Sequence, residues 1–198
     1  MQTLAKQVLE YAAGLPEGTP LVAKGLLHLG SRAAVDQVLS RLVQRGSLLR
    51  TGCGIYVQPV ESRFGTRAPS AVKMVEGLAN QRGETIVSHG ATAANALGLT
   101  TQVPMRAVYL TSGPSRRLKL GAQMVEFRHA PTWQLIFPGR TAGEVVRALA
   151  WLGPEKAGEA IRKLRVKLPS SELEEVASAR ARLPTWMARE ISVLMTHD

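Results

Sequence analysis

An α+β chain in two parts is what the sequence predicts, on three observations. The first sixty residues combine helical spacing with two short strand-like runs. A polar stretch with glycine and proline, "ESRFGTRAPS", follows them. Beyond it, strand-like runs come before a series of helices, the ordering of an antiparallel sheet with helices around it. The boundaries read this way are residues 1–60, a linker at 61–69 and a second, mixed domain at 70–198.

The first element is "TLAKQVLEYAAGL". Leu4, Val8, Leu9, Ala12 and Leu15 fall at helical spacing, and Gly14 and Pro16 are stop signals. In "EGTPLVAKGLLHLG", Thr19 can cap, Pro20 suits a first helical turn and Gly30 ends the segment, so a second, short helix is expected. Ser31 then caps a third. Val35, Val38, Leu39 and Leu42 make one apolar stripe, and Gly46 supplies the left-handed stop. "SLLR" and "GIYVQPV" read as two strands joined by "TGCG".

Helix, short helix, longer helix and two-stranded ribbon is the order of a winged helix-turn-helix. The polar face of the third helix carries Arg32, Ala33, Asp36, Gln37, Ser40, Arg41 and Gln44. A helix fits the major groove of duplex DNA, and a ribbon can reach the neighbouring backbone. The expected DNA-binding residues are Ser31, Arg32, Gln37, Ser40, Arg41, Arg45 and Arg50, with Arg116, Arg117 and Lys119 from the second half. Arg32 and Gln37 are read as base contacts, and Arg41 and Arg50 as phosphate contacts.

Charge points the same way. Of 198 residues, 25 are Lys or Arg and 15 are Asp or Glu, a net charge of +10. A surplus of that size suits a polyanionic partner. Residues 1–60 hold six basic and three acidic residues, a net of +3. The remainder hold nineteen and twelve, a net of +7.

The second half reads, in order, as a helix at "AVKMVEGLANQRG", a strand at "TIV" and a small-residue helix at "SHGATAANALGL" with Ser88 as its cap. "MRAVYLTSG" is a strand and "RRLKLGAQMVEFRHA" two strands around Gly121. Three helices follow, and the last, "SSELEEVASARARLPTWMAREISVLM", contains Pro184, which should kink or divide it.

Little here suggests an enzyme. His89 and His129 lie in no metal-protease, deaminase or hydrolase pattern, and no phosphate-binding lysine loop is present. No catalytic residue, metal or cofactor is therefore expected. Cys53, the only cysteine, excludes an intramolecular disulfide and suits a reducing cytoplasm. No apolar run approaches the roughly 20 residues of a membrane span, and the first residues do not read as a signal peptide.

Taken together, "SRAAVDQVLSRLVQRGSLLRTGCGIYV", "SHGATAANALGLTTQVP", "VYLTSGPSRRLKLG" and "VEFRHAP" resemble the AbiEi-type antitoxins of bacterial type IV toxin–antitoxin systems. The resemblance implies an N-terminal winged helix and a C-terminal antitoxin domain. It also implies repression of the protein's own operon through an inverted-repeat operator. Its functional partner would be a nucleotidyltransferase-like toxin, opposed without a stable complex. The alternative reading is a stand-alone winged-helix regulator without antitoxin activity. A nucleic-acid enzyme stands behind both, because its converging carboxylates are not visible.

Overall fold

The computed structural model describes residues 2–63 and 65–192 and is of mixed α+β class. The end of the last expected helix, 193–195, the C-terminal Asp198 and Phe64 of the expected linker lie outside the described residues. Two compact units form. Unit 1 comprises residues 1–84 and 116–126, and unit 2 comprises 85–115 and 127–198.

Unit 1 opens with α1 (Leu4–Ala13), which Thr3 caps by accepting from the Lys6 N–H. The second expected helix is not there. Its place holds a two-residue strand, β1 (Leu21–Val22), and a 3-10 turn at Ala23–Leu26. Leu21 pairs with Tyr56 and Val22 with Ile55. Cross-strand pairing uses the backbone groups that a helix would have used, and Gly25 weakens the helical alternative. Next comes α2 (Arg32–Gln44), with the Ser31 hydroxyl oxygen accepting from the Ala34 N–H. β2 (Leu49–Gly52) and β3 (Ile55–Val57) complete a sheet of order β1-β3-β2.

The expected stripe on α2 is the core. Val35, Val38, Leu39 and Leu42 are buried with Val8 and Ala12 of α1, Leu26, Leu48 and Tyr56. Each large aliphatic side chain buried there contributes about 1.5–3 kcal/mol.

The expected linker is a second ribbon. β4 (Val60–Ser62) pairs antiparallel with β5 (Gly65–Arg67), and the Ser62 hydroxyl donates to the Gly65 carbonyl at 2.7 Å. The unit boundary also departs from 61–69. α3 (Ala71–Arg82), expected in the second domain, belongs to unit 1. It docks on the loop after α1. The Glu17 carboxylate accepts from the Ser70 N–H at 3.1 Å, and Gln81 Nε2 donates to the Pro20 carbonyl at 2.9 Å. A Cβ on Gly77 would stand 3.0 Å from Gly18 O, Pro20 Cδ and Thr19 Cα, so glycine permits this approach. β8 (Arg116–Leu120) and the first residues of β9 (Gln123–His129) return to the same unit as a hairpin, turning at Gly121 as expected.

In unit 2, β6 (Ile86–Ser88) pairs antiparallel with β7 (Ala107–Thr111), which neighbours β9. Between β6 and β7 lies α4 (Gly90–Ala96). Its cap is His89, not Ser88: His89 Nδ1 accepts from the Ala91 N–H at 3.2 Å. α5 (Thr141–Leu152) is the centre of the unit, with seven positions from Ala142 to Leu149 buried. A Cβ on Gly90 would meet the Arg147 carbonyl oxygen and Trp151 Cβ, which sets how closely α4 and α5 pack. α6 (Pro154–Lys167) and α7 (Ser170–Ser178) pack against α5, and α8 (Thr185–Ser192) packs against α6 and α7. Pro184 divides the last expected helix, and a 3-10 turn at Arg180–Arg182 precedes the break. Among the described residues, no helix is long and apolar enough to cross a membrane.

Candidate nucleic-acid interface

Burial of one stripe of α2 leaves its other face in solvent. Arg32, Ala33, Asp36, Gln37, Ser40, Arg41 and Gln44 are all exposed. The first helical residue, Arg32, donates from Nε to Asp36 Oδ2 at 2.8 Å. Arg41 Nε reaches the Gln37 carbonyl at 3.5 Å, at the limit of a hydrogen bond. Arg45 occupies the C-cap and is exposed, and Gly46 follows with φ +74°. The structure therefore brings Ser31, Arg32, Gln37, Ser40 and Arg41 onto one helix, with Arg45 at its end.

The β2–β3 ribbon carries Arg50 on its exposed side, where Nε donates to the Gly52 carbonyl at 3.3 Å. Thr51 points inward, and its hydroxyl donates to the Ile55 carbonyl at 3.3 Å. Of the two turn glycines, Gly54 has φ +65° and serves the turn. Gly52 serves packing: a Cβ there would stand 2.6 Å from Leu118 Cδ2 of β8. Cys53, between them, is exposed.

Because Leu118 faces Gly52, strand alternation puts Arg117 and Lys119 on the opposite, exposed side of β8. Arg117 Nη2 lies 3.9 Å from Glu126 Oε1, a loose pair. Arg116 is different. It makes a two-pronged ion pair with Glu84, Nη2 to Oε2 at 2.6 Å and Nη1 to Oε1 at 3.2 Å, with side chains 13% and 11% exposed. That guanidinium is committed to an ion pair within unit 1, so less of its charge is available to a DNA backbone than that of Arg117 or Lys119. The same alternation puts Arg116 on the inward side with Leu118 and Leu120, a signal present in the sequence, whereas its partner Glu84, 32 residues away, does not announce itself.

In unit 2, the basic end of α6 is partly committed as well. Lys167 Nζ donates to the Leu97 carbonyl at 2.8 Å, capping α4, and Lys163 pairs with Glu159 at 2.8 Å. The hydrogen bond from Lys163, then its charge, holds the Glu159 carboxyl below its ordinary range. Both histidines singled out in the sequence hold local structure together. His89 caps α4. His129 Nδ1 lies 3.0 Å from the Gly113 carbonyl, and the His129 backbone N–H donates to the Ser115 hydroxyl at 2.9 Å. Among the described residues, no three His, Cys, Asp or Glu side chains gather as a metal site.

Two features stand outside the expectations drawn from the sequence. Asp36, an acid on a face expected to meet phosphate, is the partner of Arg32, and the i,i+4 spacing of the two is the signal that pairs them. Arg147 sits on the buried face of α5, only 2% exposed. Burial pushes its guanidinium down to about 10, against the opposing pull of Glu144.

No curated protein matches the chain. No solved structure matches it either. Residues 7–182 match the model of a family of unknown function, DUF6088, and with that span covered the chain belongs to this family.

Proposed function

We propose that the protein is a duplex-DNA-binding transcriptional regulator. Its first sixty residues act as a winged helix-turn-helix, with α2 in the major groove and the β2–β3 ribbon as the wing. The observation that carries this reading is the element order α1, β1, 3-10 turn, α2, β2, β3 with sheet order β1-β3-β2, on a chain of net charge +10. The short 3-10 turn stands where the second helix of such a domain is expected, and the exposed face of α2 is polar along its length. Arg32 and Gln37 contact bases. Ser31, Ser40, Arg41, Arg45 and Arg50 contact the backbone, with Arg117 and Lys119 adding charge from β8. The protein acts in the cytoplasm and performs no catalysis.

Its place as the antitoxin of a nucleotidyltransferase-like toxin rests on the resemblance of the quoted segments alone. That role falls to unit 2, through antagonism without a stable complex. It is tested separately, by growth rescue in cells that express the neighbouring toxin-like gene.

DNA binding is tested on the DNA upstream of the protein's own gene. The Arg32→Ala, Gln37→Ala double variant should lose about 1–3 kcal/mol for each base no longer read, and its footprint should shrink. An unchanged footprint in a folded double variant would falsify the assignment of α2 as the reading helix.

A further inference from the structure

We infer that Asp36 positions Arg32 to read a guanine, so that Asp36 sets sequence choice without touching DNA. This rests on the DNA-binding reading above and names what that site recognises. The geometry is specific. Asp36 Oδ2 takes the Nε proton of Arg32 at 2.8 Å, and both Nη nitrogens of Arg32 have no partner among the described residues. An arginine held by Nε keeps its two terminal nitrogens as a planar, forward-facing pair of donors. Guanine is the base that offers two acceptors, O6 and N7, side by side on its major-groove edge. A guanidinium left to rotate would meet phosphate as readily as base; one held through Nε is preorganised for a two-pronged contact.

Helix stability does not explain the pair. Arg32 is the first residue of α2, where the helix dipole disfavours a cation, and α2 has no acidic residue in its first turn. A basic residue four places before an acidic one is also the less favourable order for such a pair. Both side chains are about half exposed or more, at 63% and 49%, so solvent screens much of their attraction. An acid on a surface meant for polyanionic DNA costs affinity. Its presence is accounted for if it orients the arginine beside it. Residues at the start of a recognition helix are also the ones that reach base edges.

The test selects binding sites from a randomised duplex library with the full-length wild-type chain. Affinities of single-base variants of the selected site are then measured for wild type, Arg32→Ala, Asp36→Ala and Asp36→Glu. The wild type should prefer one guanine over the other bases by about tenfold or more, and Arg32→Ala should abolish that preference. Asp36→Ala should weaken the preference several-fold at the same base pair and at no other. Its affinity for random duplex should hold or rise, because a negative charge has gone. Asp36→Glu, which can still accept from Nε, should restore part of the preference. Melting midpoints should move by no more than about 2 °C, since the pair is exposed. Undiminished guanine preference in Asp36→Ala overturns the inference, as does an Arg32-dependent position that is not guanine; both leave DNA binding standing. A wild-type chain that binds no duplex overturns this inference and the DNA-binding reading together.

Discussion

Arg147 shows how one residue can load a fold with an electrostatic penalty. Its Nη1 lies 3.5 Å from the Ile136 carbonyl, its Nε has no partner, and it is surrounded by the apolar side chains of unit 2. Burial lowers its pKa from the ordinary guanidinium range to about 10. The sign follows: the unfolded chain holds this proton more tightly than the folded one. The penalty is thus fully present at neutral pH and relieved as pH rises through about 10 towards the ordinary guanidinium range, so this residue's contribution to stability improves in that window. The shift corresponds to about 3 kcal/mol. Arg147→Met should therefore leave thermal stability unchanged or raise it, as replacing buried charge by an apolar chain of similar volume commonly does. A loss of more than about 2 kcal/mol on denaturant unfolding would instead mean that the bond to the Ile136 carbonyl and the packing of the side chain outweigh the charge penalty.

At the scale of elements, close approach matters more than propensity. α3 lies against the loop after α1 because Gly77 and Gly18 leave room. A Cβ on Gly18 would stand 2.6 Å from Lys73 C and Met74 N, and one on Gly77 would press on Gly18 O at 3.0 Å. Gly77→Val should cost about 1–3 kcal/mol through overpacking, read as a lower denaturant midpoint with an unchanged slope. Gly46→Ala is the contrast. Nothing lies within 4 Å of its added Cβ, so only the left-handed backbone at φ +74° is penalised, about 1–2 kcal/mol. If both variants lost the same stability and Gly77→Val kept its α3 amides protected from exchange, the close docking of α3 would not be what Gly77 is for.

Over the whole molecule, the charge surplus divides into committed and available parts. Arg116 is locked to Glu84 and Lys167 caps α4, whereas Arg41, Arg45 and Arg50 stand exposed on unit 1. The two parts should respond differently to substitution. Arg41→Gln with Arg50→Gln should lower the slope of log affinity against log salt by about 1.8, since each phosphate left without its cation removes about 0.9. Arg116→Gln should leave that slope unchanged and cost about 1–3 kcal/mol of stability, because the mostly buried Glu84 carboxylate loses its two-pronged partner and keeps the looser pair with Arg82 at 3.8 Å. Salt titrations of duplex binding and urea unfolding of the same variants separate the two effects.

Periodicity alone determined α1, α2, the β2–β3 ribbon, the β8–β9 hairpin and the division of the last helix at Pro184. In each, neighbouring residues carry the whole signal: an apolar stripe, a cap, or a glycine or proline stop. The polar face of α2 was legible for the same reason, since burying Val35, Val38, Leu39 and Leu42 leaves Arg32, Gln37 and Arg41 outside. Tertiary structure alone decided what distant partners control. Pairing with Ile55 and Tyr56 turned residues 21–22 into a strand, because backbone groups so close to a strand edge are satisfied there at less conformational cost than in a short glycine-bearing helix. Docking on Gly18 brought α3 into unit 1, across what local composition marked as a joint. Glu84 took Arg116 out of the basic surface from 32 residues away. Short-range patterns record which face of an element is apolar; they do not record which other element will cover it, or which charge will be neutralised when it does.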